Sequence, residues 1–240
     1  MRGLKNRFLV KAFWWINLRI IKIENIFRKK KNSSHILMFH DIGVDDPNKF
    51  SVSAKRFIDI MEWHMKNEYE FISIDEWKSG CCRNKKCIIT FDDGKNNFFE
   101  IYPYLQAHSI PFCLYMISAK IGENEFITKD ELRKLSNDPL CTVGAHTKNH
   151  DETRYLTEEV LTEELVDCKA FLEKTISKPV IHFAFPHGDL ISTSLFDEKY
   201  VKKMGYKTAA KTKQVPLRCT TRQYSLPRFD ASRKDILEVL

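Results

Sequence analysis

From His35 onward this chain repeats one arrangement: a short run apolar at consecutive positions, then a stretch with helical spacing. The runs are HILMF (35–39), EFISI (70–74), CIITF (87–91), FCLYMI (112–117), CTVGA (141–145), VIHFAF (180–185) and KTAAK (207–211), with QYSLPRF (223–229) as an eighth. Helical stretches fall near 53–67, 96–108, 128–136, 157–176 and 193–204. The strongest opens at Thr157 with TEEV, read as a capping box, and carries Val160, Leu161, Leu165, Cys168, Phe171 and Leu172 on its apolar side. Strands that are apolar throughout need cover on both faces, which helices between parallel strands supply. The pattern therefore predicts an α/β fold, and seven or eight such units predict a closed or nearly closed barrel. Chemistry in such barrels collects where the strands end.

Polar clusters sit at those ends. HILMFHDIG leads to His40 and Asp41, CIITFDDG to Asp92 and Asp93, CTVGAHTKNH to His146 and His150, VIHFAFPHGD to His187 and Asp189, and YSLPRFD to Arg228 and Asp230. Two histidines four residues apart can aim two imidazoles at one cation. One carboxylate added to them makes a 2-His-1-carboxylate set with positions left open for water and substrate. Successive residues leaving a strand point in different directions, so one aspartate can bind the cation while its neighbour accepts a proton from water. This assigns Asp93, His146 and His150 as metal ligands and Asp92 as general base. Alone, Asp-Asp-Gly reads as a turn and H-x-x-x-H as coincidence. Their joint occurrence at strand ends carries the functional reading. His108 reads as a surface residue and His182 as a core one, while His187 fits either a loop or the site.

At these residues the sequence resembles the polysaccharide deacetylases (carbohydrate esterase family four, the NodB-homology domain). TFDDG is similar to the family's first motif, HTKNH to its H-[ST]-x-x-H second motif and FAFPHG to its third. The likeness runs from about His35 to the C-terminus. It implies a distorted (β/α)7–8 barrel and metal-dependent hydrolysis of the acetamido group of an N-acetylated glycan, with Zn2+ or a similar divalent ion as cofactor. It also implies substrate contacts from Phe185, Pro186, His187 and Gly188, and a backbone N–H near Tyr115 for the oxyanion. Two departures stand out. Phe183 occupies the place of an arginine that heads the third motif in many members, and YSLPRFD lacks their late histidine. MFHDIG instead resembles the exopolysaccharide deacetylase branch with an M-[YF]-H motif, which makes His40 the expected general acid. Arg228 then takes the missing arginine's place, holding Asp92 or the oxyanion.

The N-terminal segment stands apart. Residues 1–31 hold ten Lys/Arg against one Glu, whereas the remainder has 29 basic and 31 acidic side chains. A nucleic-acid-binding body is therefore not expected. Leu9, Phe13, Ile16, Ile20, Ile23 and Phe27 share one helical face, with Arg7, Lys11, Lys22 and Lys29 opposite. Residues 4–29 fit a helix lying on an anionic membrane surface, a coiled-coil seam with a glycan-assembly protein, or a helix packed on the domain itself. The division expected is 1–31 as this basic segment and linker, and 32–240 as the catalytic domain. The longest uncharged stretch is far too short to span a bilayer, and no cleavage site follows it.

Seven cysteines show no disulfide framework, and Cys81, Cys82 and Cys87 lack a matched pair and a histidine partner in sequence. A reducing, cytosol-facing location is expected, peripheral at the inner face of a bacterial membrane. That fits an enzyme acting on lipid-linked or nucleotide-linked glycan precursors. Three rivals remain at this stage: a non-haem iron oxygenase, which would need an all-β barrel; another metal-dependent C–N amide hydrolase; and a catalytically impaired deacetylase-like scaffold.

Overall fold

The strands follow the apolar runs. The computed structural model describes residues 33–77, 85–189 and 191–240; the expected basic helix over 1–31 lies outside them. In chain order the strands are β1 (His35–Phe39), β2 (Asp41–Ile42), β3 (Ser51–Val52), β4 (Glu70–Phe71), β5 (Lys86–Phe91), β6 (Phe112–Met116), β7 (Cys141–Ala145), β8 (His182–Ala184), β9 (Thr208–Ala210) and β10 (Phe229–Asp230). The main α-helices are α1 (Ala54–Lys66), α2 (Tyr102–Ala107), α3 (Lys129–Ser136), α4 (Glu158–Ile176) and α5 (Leu195–Lys203).

One curled parallel sheet runs β10-β1-β5-β6-β7-β8-β9, with β4 paired to the start of β5. Backbone hydrogen bonds nearly close it: Leu226 N–H donates to Ala209 O (2.9 Å) and Lys211 N–H to Leu226 O (2.8 Å), just before the chain enters β10. The eighth run therefore does return to the sheet, but as a single bridge followed by the short β10. Pro227 breaks it, because proline has no N–H to donate to a ladder. β7 and β8 share one registered pair, Ala145 opposite Phe183, so the ring is distorted there. This helix-covered parallel barrel leaves no place for the all-β barrel of the oxygenase rival.

Alternation along the strands builds two cores. Leu37, Phe39, Ile89, Phe91, Phe112, Leu114 and Val143 point outward beneath the helices, while Ile36, Ile88, Cys113, Tyr115, Ala184, Ala210 and Leu226 fill the barrel. Helix α4 buries Leu161, Leu165, Cys168 and Leu172 as expected, but Val160 is 42% exposed, one position off that stripe. Thr157 accepts a hydrogen bond from Val160 N–H, yet valine cannot return one, so the expected capping box there is a simple cap. The reciprocal boxes lie at Thr128–Glu131 and Ser194–Asp197. The run at 70–74 ends as a strand at Phe71 because Glu76 folds back to accept from Ser73 N–H (2.7 Å).

Phe91 anchors the outer core, packing its ring against Phe39, Phe57, Phe98 and Phe112. Phe91→Ala should cost about 3–5 kcal/mol through lost transfer energy and the cavity left behind, read as a lowered urea midpoint.

Candidate functional site

The two adjacent aspartates diverge because the backbone turns between them. Asp92 continues the inward register of Ile88 and Thr90, and its N–H donates to Phe39 O (2.9 Å). Asp93 (φ 71°) and Gly94 (φ 81°) then adopt consecutive left-handed conformations. The φ of Gly94 favours glycine, and a Cβ there would also have to displace the end of the Met116 side chain. The result is a carboxylate 2% exposed beside one 23% exposed, both within 4 Å of His146 Nε2 but with Asp92 paired to Arg228 and Asp93 turned towards His150.

His146 continues the inward register of β7. Its Nδ1–H donates to Ala184 O (2.8 Å), which leaves Nε2 as a bare lone pair aimed at the site. The following turn places His150. Thr147 (φ 65°) and His150 (φ 70°) are left-handed, and His150 N–H donates to Thr147 Oγ1 (2.9 Å). Glu164, buried on α4, accepts from Lys148 N–H (2.9 Å), Asn149 N–H (2.8 Å) and the Asn149 amide, pinning the turn between the two histidines. Sequence reasoning missed Glu164, although the signal was present: a glutamate beside Leu161, Leu165 and Cys168 sits on an apolar stripe where an unpaired charge would be costly.

Asp93, His146 and His150 come together. Asp93 Oδ1 lies 3.6 Å from His146 Nε2 and 3.5 Å from His150 Nε2. That oxygen is buried and has no hydrogen-bond partner. Burial holds His146 below its ordinary pKa against the pull of Asp92 and Asp93, and burial with the neighbouring His146 brings His150 down to about 4. A solitary buried carboxylate oxygen facing two neutral imidazoles is the donor set a divalent cation accepts.

Asp92 is clamped from the other side. Arg228, fully buried, donates through Nη1 to Oδ1 (2.6 Å) and through Nη2 to Oδ2 (2.7 Å), and also contacts Thr90 Oγ1 and Lys211 O. Burial pushes the Asp92 carboxyl up, but the charge of Arg228, aided by His146, His40 and the paired hydrogen bonds, outweighs it and keeps the group ionised. His40 Nε2 stands 3.9 Å from Asp92 Oδ2, its ring against the exposed Phe50. Arg228 has no exposed surface, so its side chain positions Asp92 and does not touch a substrate.

The third-motif residues divide. His187 is exposed, with its ring 5.1 Å from that of His150. Phe185 packs on Phe183, Pro186 is buried, and Gly188 (φ 63°) lies so close to Thr212 that a Cβ would sit 2.8 Å from its nitrogen. These three shape the floor from below. Tyr115 lies mid-strand opposite Gly144, with its ring 5.4 Å under the Arg228 guanidinium and no exposed surface. Substrate contact is closed to that side chain. His108 is exposed, stacked on Tyr104, and His182 is buried between Asp75 and Thr208.

A sequence model of the family described as polysaccharide deacetylase matches residues 79–209. The protein YxkH of Bacillus subtilis is 26% identical over 203 residues, covering 82% of this chain and 71% of that protein. The poly-beta-1,6-N-acetyl-D-glucosamine N-deacetylase of Staphylococcus aureus is 24% identical over 220 residues, covering 84% and 74%. A crystal structure of a polysaccharide deacetylase from Bacillus cereus superposes with TM-score 0.71 at 25% identity, covering 82% of this chain. The chain spans 64% of the length of that solved chain.

Two measurements test this geometry. Arg228→Met strands a buried carboxylate and should cost about 3–5 kcal/mol in urea unfolding. In the wild type, a folded pKa below the ordinary 3.8 means that the pair stabilises fully above that value and loses its contribution as pH falls through the folded pKa. The Arg228→Met chain should lack that acid-side dependence. Glu164→Ala should loosen the His146–His150 turn and weaken metal affinity roughly 10–100-fold, as removal of outer-shell partners does, read by chelator competition.

Proposed function

This chain belongs to the polysaccharide deacetylase family, and from that premise we propose that it hydrolyses the N-acetyl group of an N-acetylated sugar, releasing acetate and leaving a free amine. The substrate class is a polysaccharide, an oligosaccharide or a glycan precursor. The observation that carries the reading is the orphaned Asp93 oxygen facing two imidazoles, beside a second aspartate locked by arginine.

Asp93, His146 and His150 would hold a divalent cation (zinc in our reading), which would supply Lewis acidity to the acetamido carbonyl and to water. Asp92 takes the proton of the attacking water. Because Arg228 keeps its carboxyl well below the usual range, Asp92 is a weak base. It can deprotonate only a water whose acidity is already raised, which ties its role to the neighbouring ligand set. The two Arg228 hydrogen bonds hold that carboxylate in one orientation as the water attacks. His40 gives a proton to the departing nitrogen, which leaves as a neutral amine instead of an amide anion. The proton taken by Asp92 can then pass to His40 through one water bridging the 3.9 Å between them, restoring both groups. His187, exposed beside His150, contacts the sugar.

The location at the inner face of a membrane, with residues 4–29 on a lipid surface or a glycan-assembly partner, belongs to this proposal. It is supported by the basic composition of residues 1–31 and by the absence of a disulfide at Cys87, Cys113, Cys141 and Cys168. Among the described residues no helix is long and apolar enough to cross a membrane.

Acetate release from N-acetylglucosamine oligomers tests the reaction. Activity should vanish with a chelator and return with added zinc. Asp92→Asn should bind metal normally and lose about 10²–10⁴-fold in turnover. Turnover at the wild-type rate in that variant would remove Asp92 as the base, and chelator-resistant activity would remove the metal.

A further inference from the structure

At the opposite end of the strands lies a second group of ligand atoms that the reaction does not use. His35 opens β1, His64 lies in the last turn of α1 and Cys87 lies at the start of β5. All three are fully buried, and one ring nitrogen of each histidine and Cys87 Sγ lie within 4.8 Å of one another. Five residues of strand separate His35 from His40 and Cys87 from Asp92, about 16 Å at 3.3 Å per residue. This group is therefore separate from the catalytic one.

The proton count at the two rings is unusual. His35 Nδ1 faces Ser33 O (3.0 Å), and His64 Nδ1 faces Ile60 O (2.7 Å). A carbonyl only accepts, so both Nδ1 atoms carry the hydrogen and each neutral ring is left with a bare Nε2. Those two lone pairs meet at 2.8 Å. In those tautomers the contact is acceptor against acceptor, which a cation between the rings relieves; without one, His35 would have to give up its Nδ1–H contact to Ser33 O in order to donate through Nε2. The shell is dry and aromatic, with Tyr69 against both rings, Trp63 and Phe71 against His64, and Phe229 against His35.

We propose that His35, His64 and Cys87 form a second, structural metal site for a soft d10 cation, zinc or copper(I), bound by two imidazoles and a thiolate. At the usual metal–nitrogen distance of about 2.0 Å, tetrahedral ligation sets two nitrogens about 3.3 Å apart, so the rings separate by about 0.5 Å from their 2.8 Å contact as the cation enters. Thiolate selects soft ions, and its negative charge offsets the cation's where all three side chains are fully buried. The thiol proton leaves to solvent as the sulfur–metal bond forms, so no electron transfer is involved. The bound ion ties β1, α1 and β5 together at the base of the barrel.

The full chain, stripped of metal under reducing conditions, is loaded with Zn2+ alone, Cu+ alone or Co2+ alone. Wild type should hold one more equivalent of Zn2+ or Cu+ than Cys87→Ser, and Asp93→Asn should retain that equivalent; the ion that raises the melting temperature names the native class. Cobalt-loaded wild type and Asp93→Asn should both show a thiolate-to-metal charge-transfer band, which the sulfur-free catalytic set cannot give, and Cys87→Ser should lack it. An Asp93→Asn chain that holds no metal, a wild type without the band, or a band that survives Cys87→Ser overturns the site. The first two outcomes need no variant in the cluster, so a Cys87→Ser chain that misfolds leaves the test decisive.

Discussion

The buried ion pair between Arg228 and Asp92 organises this barrel. It runs across the interior from the last strand to β5, with both hydrogen bonds under 2.8 Å and both partners nearly without exposure. Neither charge could remain there alone, because an isolated ion in such surroundings either costs several kcal/mol or neutralises. The pair therefore couples two requirements. It joins the late-arriving C-terminal segment to the strand that carries the reactive aspartate, and it keeps that aspartate ionised beside a second one. With Arg228 balancing Asp92, the remaining carboxylate, Asp93, is free to meet a cation.

Backbone strain collects around the same point. Phe50, Asp93, Thr147, His150 and His187 all have left-handed backbones, although none is glycine. Each such residue costs energy unless its surroundings determine it. Those surroundings are visible for the second-motif turn, where Glu164 receives three donors from residues 148 and 149 and Thr147 caps His150. These bonds hold the turn in the conformation that presents both imidazoles. The wide separation of Asp92 from Asp93 in direction, over one peptide unit, comes from the same kind of local strain.

Two ends of one barrel handle buried imidazoles differently. At the strand ends His146 and His150 face an oxygen ligand and open solvent on one side, as hydrolysis requires. At the base His35 and His64 face each other and a sulfur, sealed by aromatic rings. The linear reading gave Cys87 no histidine partner, because its partners stand 52 and 23 residues away and meet it only when β1, α1 and β5 pack. The fold supplies both, which is why a spacing rule could not.

Much was nonetheless present in the sequence. Runs largely apolar at consecutive positions pointed to parallel strands covered on both faces, and their alternation with helices pointed to the barrel. The parity that sends Ile88, Thr90 and Asp92 inward is local chemistry, as is the turn written into Asp-Asp-Gly. Tertiary structure decided what parity could not reach. Leaving the barrel open at Pro227 depended on a missing N–H. The burial of Arg228 and Tyr115, beneath the site and away from substrate, depended on how far each strand runs before it ends. Local rules act over a few residues and can be read in one dimension; burial and pairing are properties of segments brought together, so they exist only once the chain has folded.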